Sequence, residues 1–151
     1  MKQEEKQLLI KDLCGRLPYE IKFEYNKNVY TAKGLDLIVT DEGYWDYAVT
    51  AKGVAPIEID FIKPYLFHLS SMTEEQKEEF YKLFEEGITE YKNETKQWLK
   101  TKKASKTKRP ITIAYVMVHE LVVDWLNKNN FDYRGLIEKG LALDATNLGI
   151  Y

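Results

Sequence analysis

The feature that most restricts the fold is a change of period at Tyr19. From there Tyr19, Ile21, Phe23 and Tyr25 alternate with Glu20, Lys22 and Glu24, which is the two-residue repeat of a strand with one face buried. The residue types suit a pleated surface. Asn26-Lys27-Asn28 reads as a turn, and Val29-Tyr30-Thr31-Ala32 as the return strand of a hairpin. Gly34 predicts a break or a bulge before residues 35–40, a mostly apolar stretch fit for a central strand. Asp41-Glu42-Gly43 turns into residues 44–50, and Ala51-Lys52-Gly53 turns into residues 57–61. Turns this short join antiparallel neighbours and leave no room for a crossover helix, so a parallel sheet is not expected here. Four or five short strands at this spacing predict an antiparallel meander, either open or curled into a small barrel.

Helical patterns flank this block. Residues 2–14 carry Leu8, Leu9, Ile10 and Leu13 on one side of a helical wheel, with Gly15 in the position of a terminating glycine and Pro18 against a restart. After Pro64 the period turns helical again. Thr73 with Gln76, or Ser71 with Glu74, forms a capping box, and Glu74, Glu75, Glu78 and Glu79 favour the helix dipole. Phe80, Phe84, Ile88, Tyr91, Thr95 and Trp98 follow helical spacing. The helix either runs past Gly87 at a cost of about 1 kcal/mol or stops there and a second one follows. Residues 111–127 form the most apolar helix, with Glu120, Asp124, Asn127 and Lys128 on its polar stripe. It is expected to pack across the sheet and to bury Val116, Leu121, Val122 and Trp125. A short closing helix is expected from Asp132 or Tyr133 through Leu141, and residues 144–151 carry no strong pattern. The expected architecture is therefore α+β in one domain, residues 1–151: an N-terminal helix, a four- to five-stranded antiparallel sheet, then two or three helices packed on it.

Composition narrows the chemistry. The chain has 22 basic and 24 acidic residues and a net charge of −2, so no global field draws it to nucleic acid or to a membrane. Its one cysteine, Cys14, excludes an internal disulfide and a cysteine-built zinc site, and two histidines make a poor metal centre. No signal peptide and no apolar run near 18 residues is present, so a soluble, cytoplasmic protein is expected.

The local anomaly is residues 100–110. They hold Lys100, Lys102, Lys103, Lys106, Lys108 and Arg109, with no acid and no large apolar side chain, and read as an exposed basic loop. Phosphates would neutralise such a field with counterion release. Trp98 at its entrance, and Tyr44, Trp45 and Tyr47 on the sheet, offer stacking faces for single strands. The acidic stretch 74–86 offsets this charge, and a solvated loop is the plainer reading.

Catalytic constellations are missing. His119-Glu120 on a helix invites comparison with the zinc-protease motif, which needs a second histidine four residues on; Val123 stands there. Glu120 and Asp124 lie one turn apart and are compatible with a hard cation, but no aspartate-rich loop accompanies them. His68 has no evident partner. Cys14 ends a helix rather than starting one, so it reads as a small packing residue rather than a reactive thiol. Ser70 and Ser71 sit in a cap context, and no glycine-rich phosphate loop occurs. No catalytic, cofactor or metal residue is assigned. Tyr133 beside Arg134 is a pair suited to anchoring a partner, or to pairing within the fold.

Two stretches carry a resemblance. One is Ile62-Lys63-Pro64-Tyr65-Leu66 running into Ser70-Ser71-Met72-Thr73-Glu74-Glu75. The other is Asp124-Trp125-Leu126-Asn127 with Phe131-Asp132-Tyr133-Arg134-Gly135-Leu136-Ile137-Glu138-Lys139-Gly140-Leu141-Ala142. Together they resemble a family of small proteins encoded by phages and mobile elements of Bacteroides-type gut bacteria, which has no assigned chemistry; His68 stands where that family has proline. The resemblance implies a setting rather than an activity, one in which DNA-metabolism partners or host proteins are the natural contacts. The expected function is a small non-enzymatic accessory protein acting through a protein partner. The alternative is a nucleic-acid-binding factor using the basic loop.

Overall fold

In the computed structural model the two-residue period of the first half becomes most of a six-stranded open sheet. The structure describes residues 1–83, 85, 89 and 109–151. Helix α1 (Gln3–Arg16) precedes strands β1 (Lys22–Tyr25), β2 (Asn28–Val39), β3 (Trp45–Ala51) and β4 (Ile57–Glu58). A 3-10 turn at Ile59–Phe61 leads into β5 (Lys63–Leu66), and another at Leu69–Ser71 follows. Residues 74–83 form helix α2; α3 (Arg109–Lys128) and β6 (Leu143–Asp144) complete the order. The strands lie in the order β4-β3-β2-β1-β5-β6. The chain divides into two compact units, Met1–Ser71 with Leu126–Tyr151 and, separately, Met72–Trp125. No helix among the described residues is long and apolar enough to cross a membrane.

The first hairpin forms where the alternation predicts it. Asn26 and Lys27 both adopt positive φ, 49° and 62°, the two-residue turn whose twist matches that of its strands, and Tyr25 faces Asn28 across it. Gly34 does not end the return strand. The register shifts between Ala32 and Gly34, a bulge that lets one twelve-residue strand pair with β1 through its first half and with β3 through its second.

Three expectations are corrected. The segment after Pro64 is strand, not the approach to a helix: Pro64, Tyr65 and Leu66 are all buried in β5, and a strand covered on both faces has no alternation to display. β5 and β6 run parallel, with Tyr65 opposite Leu143 and Leu66 opposite Asp144. The closing helix before β6 does not form. Asp132 instead accepts the N–H groups of Leu136 (2.9 Å) and Ile137 (2.8 Å), and Gly135 and Gly140, both at φ 69°, turn the chain left-handed where a helix would continue.

The core of the larger unit gathers Leu9 and Leu13 of α1, Ile21 and Phe23, Val49, Ile57, Ile59, Ile62, Leu66 and Leu136. Phe23 stacks on Tyr30 with ring centroids 5.8 Å apart. The buried stripe of α1 is Leu9, Asp12, Leu13 and Arg16, and Cys14, off that stripe, is exposed rather than packed. In α3, Trp125 is buried as expected, its ring 5.4 Å from that of Phe80. Leu121 is 41% exposed and Val122 half-buried; among the described residues 119–128, burial is concentrated at Trp125, Leu126 and Asn127. The side chain of Val116 lies outside the described residues. Of the two capping boxes, Thr73 with Gln76 is the one formed: the Thr73 N–H donates to Gln76 Oε1 (2.9 Å) and the Gln76 N–H to Thr73 Oγ1 (3.2 Å).

Gly15 continues α1 rather than ending it. A Cβ there would stand 2.8 Å from Asn127 Nδ2, so the glycine serves a close approach. Helix propensity alone would reward Gly15→Ala by about 1 kcal/mol. The overpacking it creates costs about 1–3 kcal/mol, so urea denaturation is expected to show a net loss. A gain would mean that Asn127 yields freely.

Tyr151 fastens the end of the chain to β1. Its hydroxyl accepts the Lys22 N–H (3.1 Å) and donates to the Tyr65 carbonyl (2.8 Å). Burial of this hydroxyl pushes its pKa up to about 12 from the ordinary 10.0, although much of the ring is exposed. The neutral phenol is favoured by folding, so this contribution is complete below pH 10 and is lost as pH rises toward 12. Tyr151→Phe is expected to flatten that alkaline slope in denaturation measured across the interval. An unchanged slope would assign it to other groups.

Candidate functional site

One face of the β2–β3 hairpin leaves the core as it approaches its tip. Leu35 lies opposite Val49, Leu37 opposite Tyr47 and Val39 opposite Trp45, and residues directly opposite at two-residue intervals share a face. Val49 is fully buried, whereas Leu37 is 57%, Val39 56% and Trp45 70% exposed. The tip itself is closed by the Gly43 N–H on the Thr40 carbonyl (2.8 Å) and the Thr40 N–H on the Tyr44 carbonyl (2.9 Å), with Gly43 at φ 83°. Tyr44 and Tyr47 are exposed beside Trp45.

Beside this tip runs a groove of about 560 Å³, walled on one side by α1 residues, among them Gln3, Gln7, Ile10 and Lys11, and on the other by Tyr44, Trp45 and Tyr47. Its charged floor joins three elements. Lys6 Nζ of α1 lies 2.5 Å from Asp46 Oδ2 of β3 and 2.6 Å from Asp60 Oδ2 of the 3-10 turn. The other Asp46 oxygen accepts the Tyr47 N–H (2.7 Å). β4 pairs only with Ala48 and Val49, so the outer edge of β3 runs on past it, and the aspartate covers a donor that an edge would otherwise present.

The electrostatics of this trio hold rather than react. Burial pushes the Asp46 carboxyl up, but the Lys6 hydrogen bond, the Tyr47 N–H and the Lys6 charge outweigh it and keep it below the usual carboxylate range. Burial likewise pushes Lys6 down, and hydrogen bonds to Asp46 and Asp60 with their charges reverse the sign. Both groups thus titrate further from neutrality than usual, the opposite of what proton transfer near pH 7 requires. The Glu42 charge, with smaller contributions from burial, Asp46 and Glu58, raises the Tyr44 phenol. Residues 36–46 contain four acids, Asp36, Asp41, Glu42 and Asp46, and no base.

The other sequence-predicted residues are placed as follows. Tyr133 and Arg134 turn inward to a network around α1. The Tyr133 hydroxyl donates to Asn127 Oδ1 (3.1 Å) and accepts from Arg134 Nη2 (2.8 Å). Arg134 Nε lies 3.2 Å from Asp12 Oδ1, and Asp12 in turn receives Arg16 Nε (2.6 Å) and Nη2 (3.0 Å). Arg16 Nη2 also donates to the Phe131 carbonyl (2.8 Å). The side chains of Asp12 and Arg16 are wholly buried; those of Tyr133 and Arg134 are half-buried. Trp98, Lys100, Lys102, Lys103, Lys106 and Lys108 lie outside the described residues, and Arg109 is the first residue of α3. Glu120 and Asp124 are exposed one turn apart. Among the described residues no three histidine, cysteine or carboxylate side chains gather as a metal site. His68 Nε2 stands 3.8 Å from Asp144 Oδ2.

Sequence patterning finds the aromatic trio but not the groove floor. Lys6, Asp46 and Asp60 belong to three separate elements, and each reads alone as an ordinary surface charge. Comparison with models of known families, with characterised proteins and with solved structures finds no match to this chain.

Proposed function

We propose that this chain is a non-enzymatic binding module that engages a protein partner through the β2–β3 tip and the adjoining groove. The observation that carries the reading is the continuation of a core-forming sheet face into solvent at Leu37, Val39, Trp45 and Tyr47. Large apolar side chains that cluster at the surface mark interaction sites, and tryptophan and tyrosine are the residues that most often dominate them. The resemblance of the segments 62–75 and 124–142 to phage and mobile-element proteins supports an accessory role in that setting. A nucleic-acid strand is the poorer occupant of this surface, because Asp41 and Glu42, in the turn that leads into Tyr44 and Trp45, repel phosphate near the rings that would stack the bases. A displayed random-peptide library panned on the intact chain should yield binders that are lost on Trp45→Ala. Selected binders that hold Trp45→Ala equally well would sink the reading, as would salt-sensitive binding of labelled single-stranded DNA that Trp45→Ala abolishes.

A further inference from the structure

The β2–β3 hairpin protects one of its edges and leaves the other open to a strand. We infer that two copies of this chain pair along β2, antiparallel and in register about Leu37. Leu37 then faces its own counterpart, and Leu35 faces Val39 of the second copy. Such a dimer goes beyond the binding role proposed above: it uses the β2 edge, whereas the groove lies beside β3.

The direction of the backbone bonds defines the edge. The Thr40 N–H donates to the Tyr44 carbonyl (2.9 Å), and in an antiparallel ladder bonded pairs alternate with unbonded ones. Leu35–Val49, Leu37–Tyr47 and Val39–Trp45 are therefore the unbonded pairs, and their N–H and C=O groups point outward from the hairpin. The Tyr47 N–H accords with this, since it donates to Asp46 Oδ1 (2.7 Å) rather than to β2. On the other side, β1 pairs with residues 28–31, and the Ala32 N–H donates to the Ile21 carbonyl (2.9 Å). Beyond Ala32, no strand among the described residues pairs with that edge of β2.

This edge lacks the usual guards. Lysine, proline or a covering group ordinarily keeps an open strand from pairing, as Asp46 does for β3. Residues 34–39 contain no lysine and no proline, and Asp36 is their sole charge. The bulge between Ala32 and Gly34 lies before this stretch, not within it. Leu37 and Val39 are more than half exposed.

The segment is also complementary to itself. With Leu37 on a two-fold axis, Asp36 falls opposite Ile38 of the second copy, and exposed Lys33 falls opposite exposed Asp41 at both ends. The alternation of outward amides allows slides of two residues only. One such slide sets Asp36 against Asp36, a destabilising like-charge pair. The opposite slide places Asp41 opposite Leu35 and takes Lys33 away from its acid. A copy of this chain brings the required spacing of lysine, apolar run and aspartate with it.

Sedimentation equilibrium of the intact chain, from micromolar to near-millimolar concentration, should show a rise from one chain per particle to two. Leu37→Lys, at a side chain 57% exposed where folding is not at stake, sets two cations face to face on the axis. It should weaken association by about tenfold or more. Lys33→Glu should weaken it severalfold, and adding Asp41→Lys should restore it. Trp45→Ala should leave the dimer intact while abolishing the peptide binding proposed above, so either reading can fail without the other. A chain that stays monomeric throughout, or association indifferent to Leu37→Lys, would overturn the dimer. Loss of association on Trp45→Ala would move the contact to the apolar face and overturn edge pairing. A charge-swapped pair that associates no better than Lys33→Glu alone would overturn the register.

Discussion

Asp12→Ala is expected to destabilise the protein by about 3–5 kcal/mol. Asp12 and Arg16 are both completely buried, and the aspartate takes two hydrogen bonds from Arg16 while facing Arg134 Nε. Its removal leaves the Arg16 guanidinium in a low-dielectric site with the Phe131 carbonyl and the face of the Tyr133 ring as its remaining partners among the described residues, and Nη1 has no hydrogen-bond partner among them even in the intact protein. A buried charge without its counter-charge is far costlier than a buried pair is favourable. The double variant Asp12→Leu with Arg16→Met, which removes both charges, should therefore be less destabilised than either single one. The check is the urea midpoint of the four proteins in a cycle. A loss below about 1 kcal/mol for Asp12→Ala would show that Arg16 escapes to solvent and that the network does not constrain the fold.

Phe131→Ala should cost a similar amount, about 3–5 kcal/mol, for a different reason. The ring is 1% exposed and lies 6.2 Å from that of Phe67, at the bridge where the two residues pair in parallel. Here the loss is of packing alone, since the carbonyl that serves Arg16 belongs to the backbone and survives. The damage should be local at first. Amide exchange is expected to quicken at Phe67, Asp132 and Ala145, whose N–H groups bond to Asn130, Phe67 and Leu66, before it does in β1, β2 and β3. Uniform acceleration through the whole sheet would show instead that the C-terminal segment unfolds only with everything else.

These two residues mark the boundary of what the sequence displays. The β1–β2 hairpin, the bulge at Gly34 and the Thr73 cap are written in neighbouring residues, and local rules suffice for each. β5 and β6 are not: they are short, covered, and joined to partners far along the chain, so no period announces them. The closing helix has an apolar pattern, but Asp132 captures two amides and two glycines adopt positive φ, and this local competition defeats the pattern. The surface divides the same way. Tyr44, Trp45 and Tyr47 are visible together because they are adjacent, whereas Lys6, Asp46 and Asp60 meet only after three elements have assembled. Tyr133 and Arg134 are equally visible, yet Arg134 pairs with Asp12 of the first helix and Tyr133 with Asn127 of α3.

The parallel closure at Phe67 and Phe131 spans about sixty residues of intervening chain. Joining such distant points is an entropic charge that grows only with the logarithm of the loop, about 0.6 kcal/mol for each doubling. Lengthening the stretch between the two halves of the larger unit by a few residues is therefore expected to cost the sheet only a few tenths of a kcal/mol in closure entropy, about the same for ten added residues as for a single weak surface contact.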